Sequence, residues 1–338
     1  MKWPMADTIL DHKNDVAHWL GTQGVSSDLS KTLLPIVDAG IEIADAVLAA
    51  SLEGKTGAAG SINVQGEEQK ELDLITNDIV LRHLENCPQV CASVSEEIDD
   101  LIPSDNADKS APFVVCFDPL DGSSNIETNA IIGTIFSVLK LDRGDAPVRE
   151  ADILEAANSQ VAAGYVLYGP TTSLVLTTGK SVAMFVLDGK TKHFVLVKPD
   201  MRIAEETAEF SINSAYARFW EPQISAYVDL CIQGKTGPRQ KDYTMRWSGA
   251  MIADVHRLFI RGGIFIYPGL KKSGSENGKL RFLYEANPTA MLVEVAGGMA
   301  HMRADEIRAH RPTGLHQRVP VVLGSRSEVE ILTGFYQK

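Results

Sequence analysis

The sequence predicts an α/β fold, built as one large domain or as two packed halves. Three observations carry this. Apolar residues recur at helical spacing near the start, short apolar runs of strand length fill the middle, and helical and strand-like segments alternate in the second half. At 338 residues and 44% hydrophobic content, the chain has the material for a substantial core.

The elements follow in order. Leu33, Ile36, Val37, Ile41, Ala44, Val47 and Leu48 share one face of a helix over 29–50, with Ser27 or Ser30 placed to cap it. Residues 54–66, rich in Gly, Ala and Ser, read as a mobile loop. Leu72, Ile75, Ile79 and Leu84 predict a second helix over 68–86. Apolar runs dominate 113–197, and Asp188-Gly189 between 182–187 and 193–197 signals a hairpin. The pattern turns polar over 198–207, which divides the chain into a half ending near 200 and a half from 201 to 338. Helices are expected near 221–232 and 248–261, and strands at 263–267, 279–285 and 319–323. Asn287-Pro288 reads as a helix N-cap followed by proline at the first helical position, and Ser327 as the cap of a final helix.

Composition narrows the function. A net charge of -12 argues against nucleic acid as the main partner. No apolar stretch reaches membrane-spanning length, and the first residues lack the apolar core of a signal peptide, so a cytoplasmic protein with no membrane partner is expected. The four cysteines complete no zinc pattern. Cys116 lies in an apolar run, and Cys87 and Cys91, four apart, are read as ordinary thiols.

The most informative stretch is 113–125, Phe-Val-Val-Cys-Phe-Asp-Pro-Leu-Asp-Gly-Ser-Ser-Asn. An apolar run ends in Asp118 and Asp121 and then a turn. Pro119 biases Asp118 toward extended backbone, and Gly122 lets the backbone approach a ligand closely. Carboxylates hold hard cations and backbone N–H groups hold phosphate oxygens, so the pair suits metal-assisted chemistry on a phosphate ester. Taken alone, an Asp-x-x-Asp is more often a solvated turn. Glu96, Glu97, Glu285 and Asp73 stand at the ends of other apolar runs or on a helix, where adjacent elements deliver side chains to one sheet edge. Each like-charge pair at 4 Å would cost about 4 kcal/mol at an effective dielectric near 20, so such a cluster needs cations. Arg246, Lys279 and Arg281 are the candidate cations for phosphate, the last two on one face of a strand.

These motifs resemble class I fructose-1,6-bisphosphatase over nearly the whole chain. The resemblance rests on Leu72-Asp73 with Asn77-Asp78, on Ser95-Glu96-Glu97, and on Asp118-Pro119-Leu120-Asp121-Gly122-Ser123-Ser124. It is reinforced by Ala253-Asp254-Val255-His256-Arg257, Gly278-Lys279-Leu280-Arg281 and Ala296-Gly297-Gly298-Met299. It implies a layered α-β-α-β-α sugar phosphatase fold with a metal-binding, regulatory-type N-terminal half and a substrate half. By position, Glu67, Glu96, Asp118, the Leu120 carbonyl, Asp121 and Glu285 match metal ligands, for Mg²⁺ or alternatively Mn²⁺. Asp73 and Glu97 match the pair that handles the attacking water. Asp121, Gly122, Ser123, Ser124 and Arg281 would meet the 1-phosphate. Asn213, Tyr216, Arg246, Trp247, Tyr267 and Lys279 would meet the sugar and 6-phosphate. Arg246 would arrive from a neighbouring subunit, which implies a homo-oligomer, expected as a tetramer. Glu67 would be carried inward by the glycine-rich loop.

The implied reaction is hydrolysis of the 1-phosphate of fructose 1,6-bisphosphate, in gluconeogenesis or the Calvin cycle. The alternatives are a dual enzyme that also takes sedoheptulose 1,7-bisphosphate, an inositol monophosphatase-like enzyme, and a non-catalytic binding protein. Lys279, Tyr267 and Asn213 suit a second phosphate and argue against the monophosphatase; the complete carboxylate set argues against the binding protein.

The chain departs from the family at several points. Trp247 replaces a tyrosine, Glu67 and Glu127 replace aspartates, and the long cysteine-bearing insertion of chloroplast enzymes is missing. Where animal enzymes carry the Gly-Thr-Gly-Glu and Lys-Tyr elements of an AMP site, this chain reads Gly21-Thr22-Gln23-Gly24 and Ala111-Pro112-Phe113. A cation and a hydroxyl for the nucleotide are therefore lost. AMP is expected to inhibit weakly or not at all, and an inhibition titration checks this; half-inhibition at micromolar AMP would contradict it.

Overall fold

The computed structural model describes residues 16–53, 58–62, 68–142 and 144–337. Eight strands form the larger sheet: β1 (Val90–Ser95), β2 (Ile102–Pro103), β3 (Phe113–Asp121), β4 (Ile132–Lys140), β5 (Gln160–Tyr168), β6 (Ser173–Thr177), β7 (Val182–Asp188) and β8 (His193–Lys198). Their order is β8-β7-β6-β5-β4-β3-β1-β2. Only β1 and β3 pair in parallel; the other neighbours are antiparallel. A six-stranded sheet follows, from β9 (Glu209–Ser211), β10 (Thr244–Met245), β11 (Ile264–Tyr267), β12 (Met299–Met302), β13 (Asp305–Glu306) and β14 (Val321–Gly324), in the order β10-β9-β11-β14-β12-β13.

Helices fill the spaces between and outside the sheets. One face of the larger sheet is covered by α1 (Val16–Gln23), α2 (Ser27–Glu53) and α3 (Glu71–Glu85), through Leu33, Ile43 and Leu72 against Phe117, Phe136 and Val166. The opposite face packs on α6 (Met251–Arg261) and α7 (Asn287–Val295), which also meet Phe265 and Leu323 of the smaller sheet. Beyond that sheet lie α5 (Pro222–Ile232) and α8 (Arg326–Thr333), against Ile264, Ile266 and Val322. A short α4 (Glu150–Ala156) precedes β5. The result is the expected α-β-α-β-α stack. Strand period two explains how each sheet feeds two cores: in β3, Val115 and Phe117 face α1–α3, whereas Val114 and Cys116 face α6 and α7.

Several local expectations change. The glycine-rich stretch contributes Ala58–Ile62 to an antiparallel hairpin with Glu68–Lys70, so it is not loop throughout. The first long helix begins at Ser27, and its early turn is satisfied by Ser26, whose hydroxyl accepts from Leu29 N at 3.1 Å. Residues 279–285 are not one strand. Leu280–Arg281 pair with Arg318–Val319, and Phe282–Ala286 then wind into a π-helical turn continuous with α7. Every residue of that turn is buried, so no polar face marks it as helical and its apolar run looks like a strand. Asn287 is consequently inside a helical segment and caps nothing; its amide donates to Ala157 O at 3.0 Å. The cap position of α8 is Ser325, with Ser327 inside the helix. All four cysteines are buried free thiols.

Gly164 sits where β5 crosses beneath Phe136. A Cβ there would lie 2.4 Å from Phe136 Cζ and 2.8 Å from Val175 O. Gly164→Ala is expected to cost about 1–3 kcal/mol by overpacking, read as a lower urea midpoint with an unchanged slope.

Candidate active site

The carboxylates meet where the C-terminal ends of β1 and β3 face α6 and the π-helical turn. In a regular strand, residues 118 and 121 would point to opposite faces. The β3–β4 register prevents that. Asp118 pairs with Ile135 and Asp121 with Gly133, so three steps on β3 match two on β4. The extra residue is a β-bulge beside Pro119, which has no N–H to lose, and it turns both carboxylates into one crevice. Leu120 N donates to Asp118 Oδ1 at 2.9 Å, and Thr134 Oγ1 donates to Pro119 O at 2.8 Å, which hold the bulge in place.

Glu285 enters from the π-helical turn. A ligand oxygen from each of Asp118, Asp121 and Glu285 lies within 4.8 Å of the other two, all from buried side chains. Glu96 follows β1 and meets Arg281 Nη1 at 2.8 Å. Glu285 Oε2 accepts from the Arg281 backbone N at 2.6 Å and lies 3.9 Å from Arg281 Nη1. One arginine thus serves two acids. Asp121 Oδ2 accepts from Ile252 N at 2.7 Å, so a side chain of the larger sheet caps α6 across the layer boundary. Gly122 has φ 79°, and a Cβ there would lie 2.4 Å from Ala250 Cβ. Its glycine is required by the approach of the segment before α6, a reason the sequence reading assigned to a ligand.

Asp73 occupies the first turn of α3, where Oδ2 accepts from Lys70 N at 2.8 Å. Ser95 Oγ donates to Asn77 Oδ1 at 2.6 Å and accepts from Glu97 N at 3.2 Å, which staples α3 to the end of β1. These two small polar residues matter to the geometry and carry no chemical signal in the sequence beyond their place in the motifs. Lys70 Nζ pairs with Glu127 at 2.7 Å.

The crevice holds about 300 Å³. Asp73, Glu96, Glu97, Asp118, Leu120 and Asp121 line one side. Gly122, Ser123 and Ser124 form its turn, and Trp247, Tyr267, Lys279, Arg281 and Glu285 close it. Trp247, Tyr267 and Lys279 also line an adjoining lobe with Asn213 and Tyr216. The Trp247 indole stacks on Phe265, 6.2 Å between centroids and 3° between planes. Asn213 Oδ1 accepts from Ala215 N at 3.1 Å, which commits its carbonyl and leaves the amide as donor. Arg246 is exposed and lines neither lobe of this chain, and Glu67 lies outside the described residues.

Burial dominates the site's electrostatics. It pushes Asp121 up to about 7, opposed by the Ile252 N–H and helped by the Glu96 charge. Burial together with Glu96, Asp121 and Glu285 raises Asp118 well above the usual range, and burial raises Glu285 against the pull of Arg281. Asp73 is likewise raised to about 7, by burial first, with the Lys70 N–H opposing and Glu97 adding to it. Three buried carboxylates with oxygens within 4.8 Å of one another, offering oxygen alone, fit a hard divalent cation.

A carboxyl raised from about 4 to about 7 stays protonated in the fold while it is ionised in the unfolded chain, so stability falls as pH rises through that window. In EDTA the melting temperature is expected to fall from pH 5 to pH 8, and added Mg²⁺ to raise it more at pH 8 than at pH 5. A flat profile in EDTA would contradict this.

Comparison with known proteins agrees with this geometry. Residues 6–199 match the family model described as fructose-1-6-bisphosphatase, N-terminal domain, and residues 203–337 the C-terminal domain. The class 1 fructose-1,6-bisphosphatase of Shewanella amazonensis is 46% identical over 317 residues, covering 94% of this chain and 98% of that protein. The Shewanella halifaxensis enzyme of the same name is 47% identical over 315 residues, covering 93% and 94%. The crystal structure of Leishmania major fructose-1,6-bisphosphatase in holo form superposes with a TM-score of 0.89 at 33% identity, covering 96% of this chain and 99% of that one. The chain belongs to the fructose-1,6-bisphosphatase family.

Proposed function

We propose that this chain hydrolyses the 1-phosphate of fructose 1,6-bisphosphate in carbohydrate metabolism, with a divalent cation. The single observation that carries the reading is the two-lobed site: a carboxylate crevice joined through Trp247, Tyr267 and Lys279 to a lobe with polar donors. One lobe suits the phosphate that is cleaved and the other the phosphate that is kept.

Asp118, Asp121 and Glu285 would hold the cation, with Glu96, the Leu120 carbonyl and Glu67 as further ligands. When bound, Mg²⁺ or Mn²⁺ neutralises phosphoryl oxygens and stabilises the leaving alkoxide. The residues do the rest. The Gly122–Ser124 turn offers N–H groups that a short helical turn leaves without internal partners, and Arg281 adds a guanidinium against the same phosphate. Asp73, raised to about 7, is poised near neutrality to take a proton from water, with Glu97 beside it. Lys279, Tyr267, Asn213 and Tyr216 would grip the distal phosphate and sugar, and the Trp247 N–H stands in for the tyrosine hydroxyl of relatives. Arg246, exposed in one chain, would complete the site of a neighbouring copy, which makes the working enzyme a homo-oligomer, proposed as a tetramer in the cytoplasm.

Uncatalysed phosphate monoester hydrolysis needs accelerations of up to ~10²¹, whereas one general base supplies about 10²–10⁴, so electrostatic stabilisation must dominate. Phosphate release from fructose 1,6-bisphosphate is expected with Mg²⁺ and is expected to stop with EDTA. Asp118→Asn is expected to fold normally by circular dichroism and to lose turnover by at least ~10³ even at saturating Mg²⁺; near-normal activity would overturn the assignment.

A further inference from the structure

Trp247 and Arg246 sit at the end of an arm, residues 233–246, that leaves α5 and returns along the edge strand β10. An edge strand of two residues has little backbone pairing of its own: Thr244 N donates to Ala208 O and Arg246 N to Phe210 O, both at 2.8 Å. The Tyr243 ring also meets Phe210 edge-on, 6.4 Å between centroids, and the arm's polar side chains converge on one carboxylate. Glu328, fully buried on α8, accepts from Arg239 Nη2 at 2.7 Å, Tyr243 Oη at 2.9 Å and Lys241 Nζ at 3.4 Å through one oxygen, and from Tyr227 Oη of α5 at 2.7 Å through the other. Arg239 and Lys241 also lie over the Tyr243 ring, each at 5.2 Å from its centroid. Beyond Trp247 the chain is held again: Asp254 Oδ2 accepts from Ser248 N at 3.1 Å and Ser248 Oγ at 2.7 Å, and Asn125 donates to Ser248 O at 3.1 Å.

We infer that Glu328 is a positioning residue for substrate binding: it ties the arm to α5 and α8 and so sets where Arg246 and Trp247 stand. The chemistry supports this. A buried carboxylate must be matched by donors. Here burial pushes the Glu328 carboxyl up, but the bonds from Arg239, Tyr227 and Tyr243 outweigh it and hold the group below its usual range. Three of the four donors come from the arm, so the arm as it stands brings Arg239, Lys241 and Tyr243 together on this charge. The inference rests on the reading of Arg246 and Trp247 as substrate-facing residues.

The test is a mutant cycle on the full-length chain. Glu328→Gln is expected to raise KM for fructose 1,6-bisphosphate roughly tenfold, the scale of one charge-assisted hydrogen bond, with kcat within about twofold. In an Arg246→Ala background the same change is expected to add clearly less than about tenfold, because the part of its effect that runs through Arg246 is already gone and the part through Trp247 remains. Hydrogen exchange of 239–247 is expected to accelerate while 113–121 stays unchanged. Tyr243→Phe, a smaller change that keeps the ring, is expected to move KM and exchange in the same direction and serves if Glu328→Gln does not fold. Unchanged exchange in the arm, equal losses in kcat and KM, or full additivity with Arg246→Ala would overturn the role. A wild-type chain with no bisphosphate hydrolysis would overturn the proposed function itself, whereas an active wild type with normal KM in both variants would overturn the positioning role alone.

Discussion

Like-charge crowding governs this molecule. Asp118, Asp121 and Glu285 are buried with ligand oxygens within 4.8 Å of each other, and Glu96 adjoins them. Burial and mutual repulsion both oppose their ionisation. Packing alone does not relieve that. The fold instead sets fixed positive character against the cluster: the Arg281 guanidinium on Glu96 and the N-terminal N–H groups of α6 on Asp121. Both come from the second half of the chain, so the neutralisation of the cluster adds to the apolar packing of α6 and α7 that docks the two halves. A cluster left short of positive charge is also one with high demand for a cation, which links the cost of the fold to its chemistry.

The layered architecture exists to bring those groups together. Each sheet is buried on both faces, and α6 and α7 lie between them. The site sits where the strand ends of the larger sheet open toward that middle layer. Three deviations from regular structure meet there: the bulge at Pro119–Leu120, the left-handed Gly122 against Ala250, and the π-helical turn carrying Glu285. The bulge and the π-helical turn re-aim carboxylates that regular geometry would send elsewhere, and Gly122 lets the chain pass close to Ala250. The second lobe is lined from several segments of the second half, among them Asn213, Tyr216, Tyr267 and Lys279, and it meets the arm at Trp247, where side-chain hydrogen bonds supplement scarce backbone pairing.

Much of this was legible in the residues, for reasons that can be named. The long amphipathic pattern of α2 and the hairpin at 182–198 depend on local periodicity and turn chemistry, and both appear as read. The carboxylates were legible because they end apolar runs, the signature of strand ends facing a crevice. What escaped depended on distant partners. The 279–285 segment was misread because a helix buried on all sides shows no period. Ser95 with Asn77 and Asp254 with Ser248 are bonds across 18 and 6 residues that no pattern announces. The need for glycine at 122 comes from Ala250, a distant residue packed against it.

From its residues alone, then, the chain determined its α/β class, its family and the identity of nearly every group in the crevice, since those follow from local spacing and contiguous motifs. Tertiary structure decided their aim: which face Asp121 points to, which acid Arg281 answers, and how the Trp247 arm is held. Aim depends on strand register and on contacts between residues more than a hundred positions apart, and a linear pattern carries neither.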